Sequence, residues 1–164
     1  MTEKLATLSQ ENDISIITLD DGKANAFSFE MLSQVNALLA QVPKDSGALV
    51  ITGRDGLFSG GFDLKTLATG DMEKITMMVQ LGYRLLLELY SFDRPIIAAV
   101  SGHAIALGLF VTCSADYRIA IDGQYVCQAN EVRNNMDIPP QIMEILKARV
   151  NKNYFYPAVF HSDT

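Results

Sequence analysis

The chain of 164 residues has no tryptophan, two cysteines and two histidines. Cys113 lies in a strongly apolar segment and Cys127 in a strand-like one, with no CxxC pair, so neither a disulfide framework nor a zinc site can be assembled. Free cysteine is among the most buried residue types, and both thiols are expected to be structural and inside. No run of about 18 apolar residues exists to span a bilayer. The first residues, MTEKLATLSQENDIS, lack the apolar stretch of a secretory signal, which points to a cytoplasmic chain with no membrane partner. Positive charge is also scarce: 13 Lys and Arg against 19 Asp and Glu give a net charge of −6. Without a basic stripe, a nucleic-acid partner is not expected.

A hydrophobic share of 49% with 20% charged residues excludes disorder and suits one compact domain. Alternation over Leu5–Ser9 and Ile14–Leu19, around the polar turn Gln10–Asp13, predicts an opening antiparallel hairpin. Ser28 is a good N-cap for a helix whose apolar positions Phe29, Leu32, Val35, Leu39 and Val42 recur up to Pro43. The short apolar runs Ala48–Thr52 and Ile96–Val100 suit strands buried on both faces. Asp71 caps a long helix reaching Tyr90, and Arg94-Pro95 follows its end. Ala104–Ser114 is apolar all round and predicts a buried helix. Strands over Asp116–Ile121 and Gly123–Val126 and a helix from Pro139-Pro140 to Arg149 complete the pattern. Alternation of helix and strand after the hairpin argues for an α/β fold with parallel strands joined by right-handed crossovers.

Two loops share one design. Phe58-Ser59-Gly60-Gly61-Phe62-Asp63-Leu64 follows the Ala48 strand, and Ser101-Gly102-His103-Ala104-Ile105-Ala106-Leu107-Gly108 follows the Ile96 strand. In each a strand ends, small residues turn the chain, and a helix begins. Amides at a helix start have no intrahelical acceptor and point outward with the positive end of the dipole. Two such amides converging would make an oxyanion hole, whereas the same glycines also serve turns that only pack closely. Neither loop matches a phosphate-binding or dinucleotide fingerprint.

Four blocks in order resemble the enoyl-CoA hydratase/isomerase (crotonase) superfamily: Lys23-Ala24-Asn25-Ala26, Phe58 to Leu64, Arg94 to Ala104, and Ala115-Asp116-Tyr117-Arg118-Ile119-Ala120. The resemblance runs from about residue 10 to residue 150 and implies a repeated β-β-α superhelix with a mostly parallel sheet and a small perpendicular one. It implies an acyl-CoA-binding core over residues 1–150 and the start of a C-terminal helical, trimerising region over 151–164. About a third of a typical member then has no counterpart in these 164 residues, which leaves either an incomplete sequence or a naturally short form.

The resemblance further implies that an acyl-CoA thioester is polarised by two backbone amides, matched here by Gly60 and Leu107, to form an enolate. Lys23, Ala24 and Ala26, with Gly61, Phe62, Asp63, Leu64 and Lys65, match its CoA-binding segments, and Lys65 is a candidate for the CoA phosphates. Ala106-Leu107-Gly108 departs from the family's glycine run. Of the two glutamates that hold water in the hydratases, one position is occupied by Phe110 and the other by Glu131. Phenylalanine carries no proton, so one carboxylate remains, which suits double-bond isomerisation over hydration. The alternative for Glu131 is a surface residue or an ion pair with Arg133 or Arg118; for the whole chain it is a weakly active CoA-thioester-binding paralogue. His103 is expected to be structural and Asp63 to cap the following helix. No cofactor beyond the substrate's own CoA is implied, and the family's trimers and hexamers imply self-association.

Overall fold

The computed structural model describes residues 3–163. Strands β1 (Ala6–Glu11) and β2 (Ile14–Leu19) form the expected antiparallel hairpin, turned at Asn12. Strands β4 (Ala48–Thr52), β7 (Ile96–Val100) and β9 (Tyr117–Ala120) add in parallel to give one sheet ordered β1-β2-β4-β7-β9. Its buried face carries Ile17, Leu19, Leu49, Ile51, Ile96 and Ala98 in the common core. The last strand is an edge, and Tyr117 and Ile119 are 65% and 67% exposed there.

The helices on that core are α1 (Phe29–Leu39), α2 (Leu64–Ala68), α3 (Met72–Tyr90), α4 (Leu107–Ser114), α5 (Pro140–Arg149) and α6 (Lys152–Phe160). The Ser28 hydroxyl accepts from the Met31 N–H, and Asp71 accepts from the Lys74 N–H, so both expected caps form. No helix is long and apolar enough to cross a membrane among the described residues, and they contain no cluster of three or more metal-ligating side chains.

Three segments differ from the sequence expectation. The segment read as a glycine-rich loop contains β5 (Gly56–Ser59) and β6 (Gly61–Phe62). The buried helix begins at Leu107, because Gly102–Ile105 instead forms β8, held by β5 on one side and β10 (Cys127–Gln128) on the other. A uniformly apolar run does not distinguish a strand from a buried helix until partners on both sides claim its amides. The expected strand over Gly123–Val126 is instead a bend and irregular chain, and the strand begins at Cys127. Placed there, Cys127 is exposed while Cys113 is buried, correcting the expectation that both thiols are inside. The short strand β3 (Ala26–Phe27) pairs in parallel with β6 and forms a separate two-stranded sheet.

Candidate active site

The two glycine-bearing turns meet. Gly61, at φ +89, lies so close to the other turn that an added Cβ would stand 2.9 Å from the Ala106 Cβ and 3.5 Å from the Leu107 nitrogen. Leu107 opens α4, so its N–H has no intrahelical acceptor, and the residue before it, Ala106, holds φ 53 and ψ −121 without a side-chain cap. That conformation favours glycine, and the alanine there stores strain beside the site.

Gly60 is not a free donor. Its N–H donates to the Ala24 carbonyl at 2.9 Å, which corrects the expected donor pair of Gly60 and Leu107. Gly61 N–H donates to Ser59 Oγ at 3.1 Å, and Asp63 N–H reaches back to the Phe27 carbonyl at 3.3 Å. Alternate residues of an extended segment face opposite sides, so the intervening Phe62 N–H turns away from β3. Every residue from Ser59 to Phe62 carries an amide, so sequence alone does not show that the Gly60 amide is the one engaged by Ala24.

Glu131 follows β10, whose partner β8 leads into α4, so one ladder brings the carboxylate and the Leu107 amide to the same region. Glu131 is 5% exposed and its Oε2 has no hydrogen-bond partner. Burial pushes its pKa up from 4.5 to about 7, against the backbone hydrogen bonds of Glu131 and Asn130, which lower it. The alternative of an ion pair with Arg118 is not seen, since that guanidinium donates to the Ala115 and Thr112 carbonyls. Arg133 makes no ion pair with it among the described residues.

The sequence reading passed over Tyr83 on α3, whose ring stands edge-on to Phe62 with centroids 6.2 Å apart. Burial and then the charge of Glu131 push its phenol above the ordinary value. Helical periodicity marks position 83 only as one side of α3, so nothing local singles it out. Phe110 and Leu107 are buried, and Phe110 offers no proton-transfer group. His103 is structural as expected: its Nδ1 accepts from the Val126 N–H at 2.9 Å and its ring packs edge-on to Tyr125.

Of the expected ligand-binding residues, Lys23, Ala24, Ala26, Asp63 and Lys65 line one cleft of about 300 Å³ together with Asp21. Three amides, those of Lys23, Asn25 and Ala26, converge on the Asp21 carboxylate and shape this wall. Arg54, missed by the motif reading, donates to the Lys23 carbonyl from the other side. Asp63 caps α2 through Thr66 and Lys65; burial raises its carboxyl, but those hydrogen bonds outweigh it and hold the pKa below its ordinary value. Leu64 and Phe62 do not line the cleft with their side chains: Leu64 is 75% exposed, and the Phe62 ring is buried against α3.

The sequence profile of the Enoyl-CoA hydratase/isomerase family matches residues 9–134. Enoyl-CoA delta isomerase 3 of Arabidopsis thaliana is 29% identical over 152 residues, which are 89% of this chain and 64% of that protein. A probable enoyl-CoA hydratase of Bacillus subtilis is 31% identical over 120 residues, 71% of this chain and 46% of its own length. The crystal structure of a probable enoyl-CoA hydratase from Mycobacterium tuberculosis superposes with a TM-score of 0.91 at 38% identity, covering 97% of this chain and 67% of that one. The chain thus spans less than two thirds of the length of these two curated relatives. With most of its length matched by the family profile, the chain belongs to the enoyl-CoA hydratase/isomerase (crotonase) family.

Proposed function

We propose that this chain isomerises the double bond of an enoyl-CoA thioester, with the Phe62 and Leu107 amides polarising the carbonyl and Glu131 carrying the proton. The cleft of Lys23, Ala24, Ala26 and Lys65 receives the nucleotide end of CoA. Glu131 removes a proton from C2 of a 3-enoyl thioester, the electron pair delocalises onto the carbonyl oxygen held by the two amides, and the same carboxyl returns a proton at C4. The product is the 2-enoyl thioester, and no other reactant is consumed.

The observation that carries this reading is the buried, unpartnered Glu131 carboxyl poised near pH 7, with Phe110 at the position of the other hydratase glutamate. A base and acid used in turn works best when its pKa lies near the working pH. The test offers the protein 3-enoyl-CoA and 2-enoyl-CoA and follows isomerisation and water addition separately. Isomerisation lost in Glu131→Gln is expected; hydration as the faster reaction, or full activity in that variant, overturns the assignment.

The CoA-thioester-binding paralogue is favoured by one observation, the strained Ala106 at the start of α4. Tight binding of acetoacetyl-CoA with no turnover of either enoyl substrate selects it. The proposal includes a trimeric assembly, supported by the exposed apolar side chains of β9 and by Tyr154 and Tyr156 on α6. Sedimentation as a monomer at micromolar concentration rejects that part.

A further inference from the structure

Asn25 is 0% exposed and sits where the Asp20–Ala26 loop meets the end of β5. Its side-chain amide donates to the Leu19 carbonyl at 2.9 Å and the Phe58 carbonyl at 3.2 Å, and its Oδ1 accepts from the Asp21 N–H at 3.0 Å. Both amide hydrogens and the carbonyl oxygen are therefore engaged. The main chain adds two more links: Asn25 N–H donates to Asp21 Oδ1 at 2.8 Å, and the Asn25 carbonyl accepts from the Ser59 hydroxyl at 2.7 Å. Ser59 Oγ in turn accepts the Gly61 N–H at 3.1 Å, and Gly60 N–H donates to the Ala24 carbonyl at 2.9 Å. An unbroken line of hydrogen bonds runs from the Lys23-Ala24 wall of the cleft to the residue before Phe62. At its centre Asn25 holds φ +46, a conformation that a side-chain-bearing residue keeps when its surroundings over-determine it.

We propose that Asn25 is a positioning residue that couples the two ends of the site, so that seating the nucleotide end of an acyl-CoA in the cleft fixes the Phe62 amide at the thioester carbonyl. This rests on the functional reading above. Asn25 touches neither end of the ligand; it acts through the Ala24 carbonyl on one side and through Ser59 and Phe58 on the other. Binding energy from a remote part of a substrate raises kcat when it is spent on orienting the group that acts in the transition state. A link that only stabilised the fold would weaken both ends of the site alike.

The test compares two substrates that carry the same 3-enoyl group, one on CoA and one on pantetheine, which lacks the nucleotide. In the unaltered chain kcat for the CoA thioester is expected to exceed that for the pantetheine thioester by about tenfold or more. Asn25→Gly, which tolerates the positive φ but removes the side-chain hydrogen bonds, brings the ratio to about one. It does so by lowering kcat on the CoA thioester, while the dissociation constant for CoA alone stays within about threefold. Ser59→Ala removes only the relay hydroxyl and carries the test if Asn25→Gly does not fold. A folded variant that keeps the ratio, or that loses equally on both substrates, overturns the coupling. An unaltered chain that isomerises both thioesters equally well overturns the coupling and leaves the reaction standing. One that isomerises neither overturns the functional reading, and the coupling falls with it.

Discussion

Gly82, in the middle of α3, is seated against the Phe62 ring so closely that a methyl group there would stand 2.7 Å from both Cε1 and Cζ of that ring and 2.9 Å from the Leu107 Cδ2. A glycine inside a 19-residue helix costs about 1 kcal/mol relative to alanine, so the helix gives up propensity to admit these two side chains. They belong to the residues whose amides are proposed to face the carbonyl. The back of the site is thus packed by α3, and Tyr83 next along the helix packs at a near right angle against the same ring.

Gly82→Ala is therefore expected to destabilise the protein in spite of its better helix propensity. Overpacking of about 1–3 kcal/mol is offset by about 1 kcal/mol of propensity. A lower urea midpoint with unchanged slope, together with a reduced kcat, checks this; a gain in stability contradicts the packing.

Ala106→Gly is expected to act in the opposite direction. Strain of about 1–3 kcal/mol at φ 53, ψ −121 is relieved, less about 0.5–1 kcal/mol for the freer unfolded chain. Calorimetry should show Tm rising by a few degrees, as expected for a gain of about 1 kcal/mol in a domain of this size.

Glu131 sets the pH dependence. In the isomerisation only its ionised form takes the proton, so kcat/KM rises with pH and levels above about 7. For stability the sign is reversed. The folded-state pKa lies above the ordinary 4.5, so between these values the folded chain binds more protons than the unfolded one. Stability contributed by the protonated group is complete below about 4.5 and is lost as pH rises through about 7. Glu131→Gln should remove about 100-fold to 10,000-fold of activity. It should also flatten that fall, leaving the variant the more stable protein above pH 7 in paired denaturation curves. A pH-independent difference between the two curves contradicts burial of the carboxyl.

Asp63→Ala removes the N-cap of α2, worth about 1 kcal/mol. Because that helix begins with the residues that carry Lys65 to the cleft, the affinity for CoA falls while the Glu131 pH profile stays in place. Isothermal titration with CoA and the pH–rate curve measure the two effects separately.

Local pattern was enough for the hairpin, for β4 and β7, and for the helices capped by Ser28, Asp63 and Asp71, since alternation, helical spacing and cap residues are read within a few neighbours. The resemblance to the family, not local pattern, marked Glu131 as the one carboxylate at the two positions compared with hydratases, with Phe110 at the other. Tertiary structure decided that the Gly60 amide is engaged, because its acceptor, the Ala24 carbonyl, comes from a distant segment. It decided that Gly102–Ile105 is a strand, since β5 and β10 flank it, and that Cys127 faces solvent while Glu131 does not. The division has one physical cause: periodicity records which side of an element is apolar, whereas hydrogen-bond partners and desolvation are supplied by segments far away in the chain.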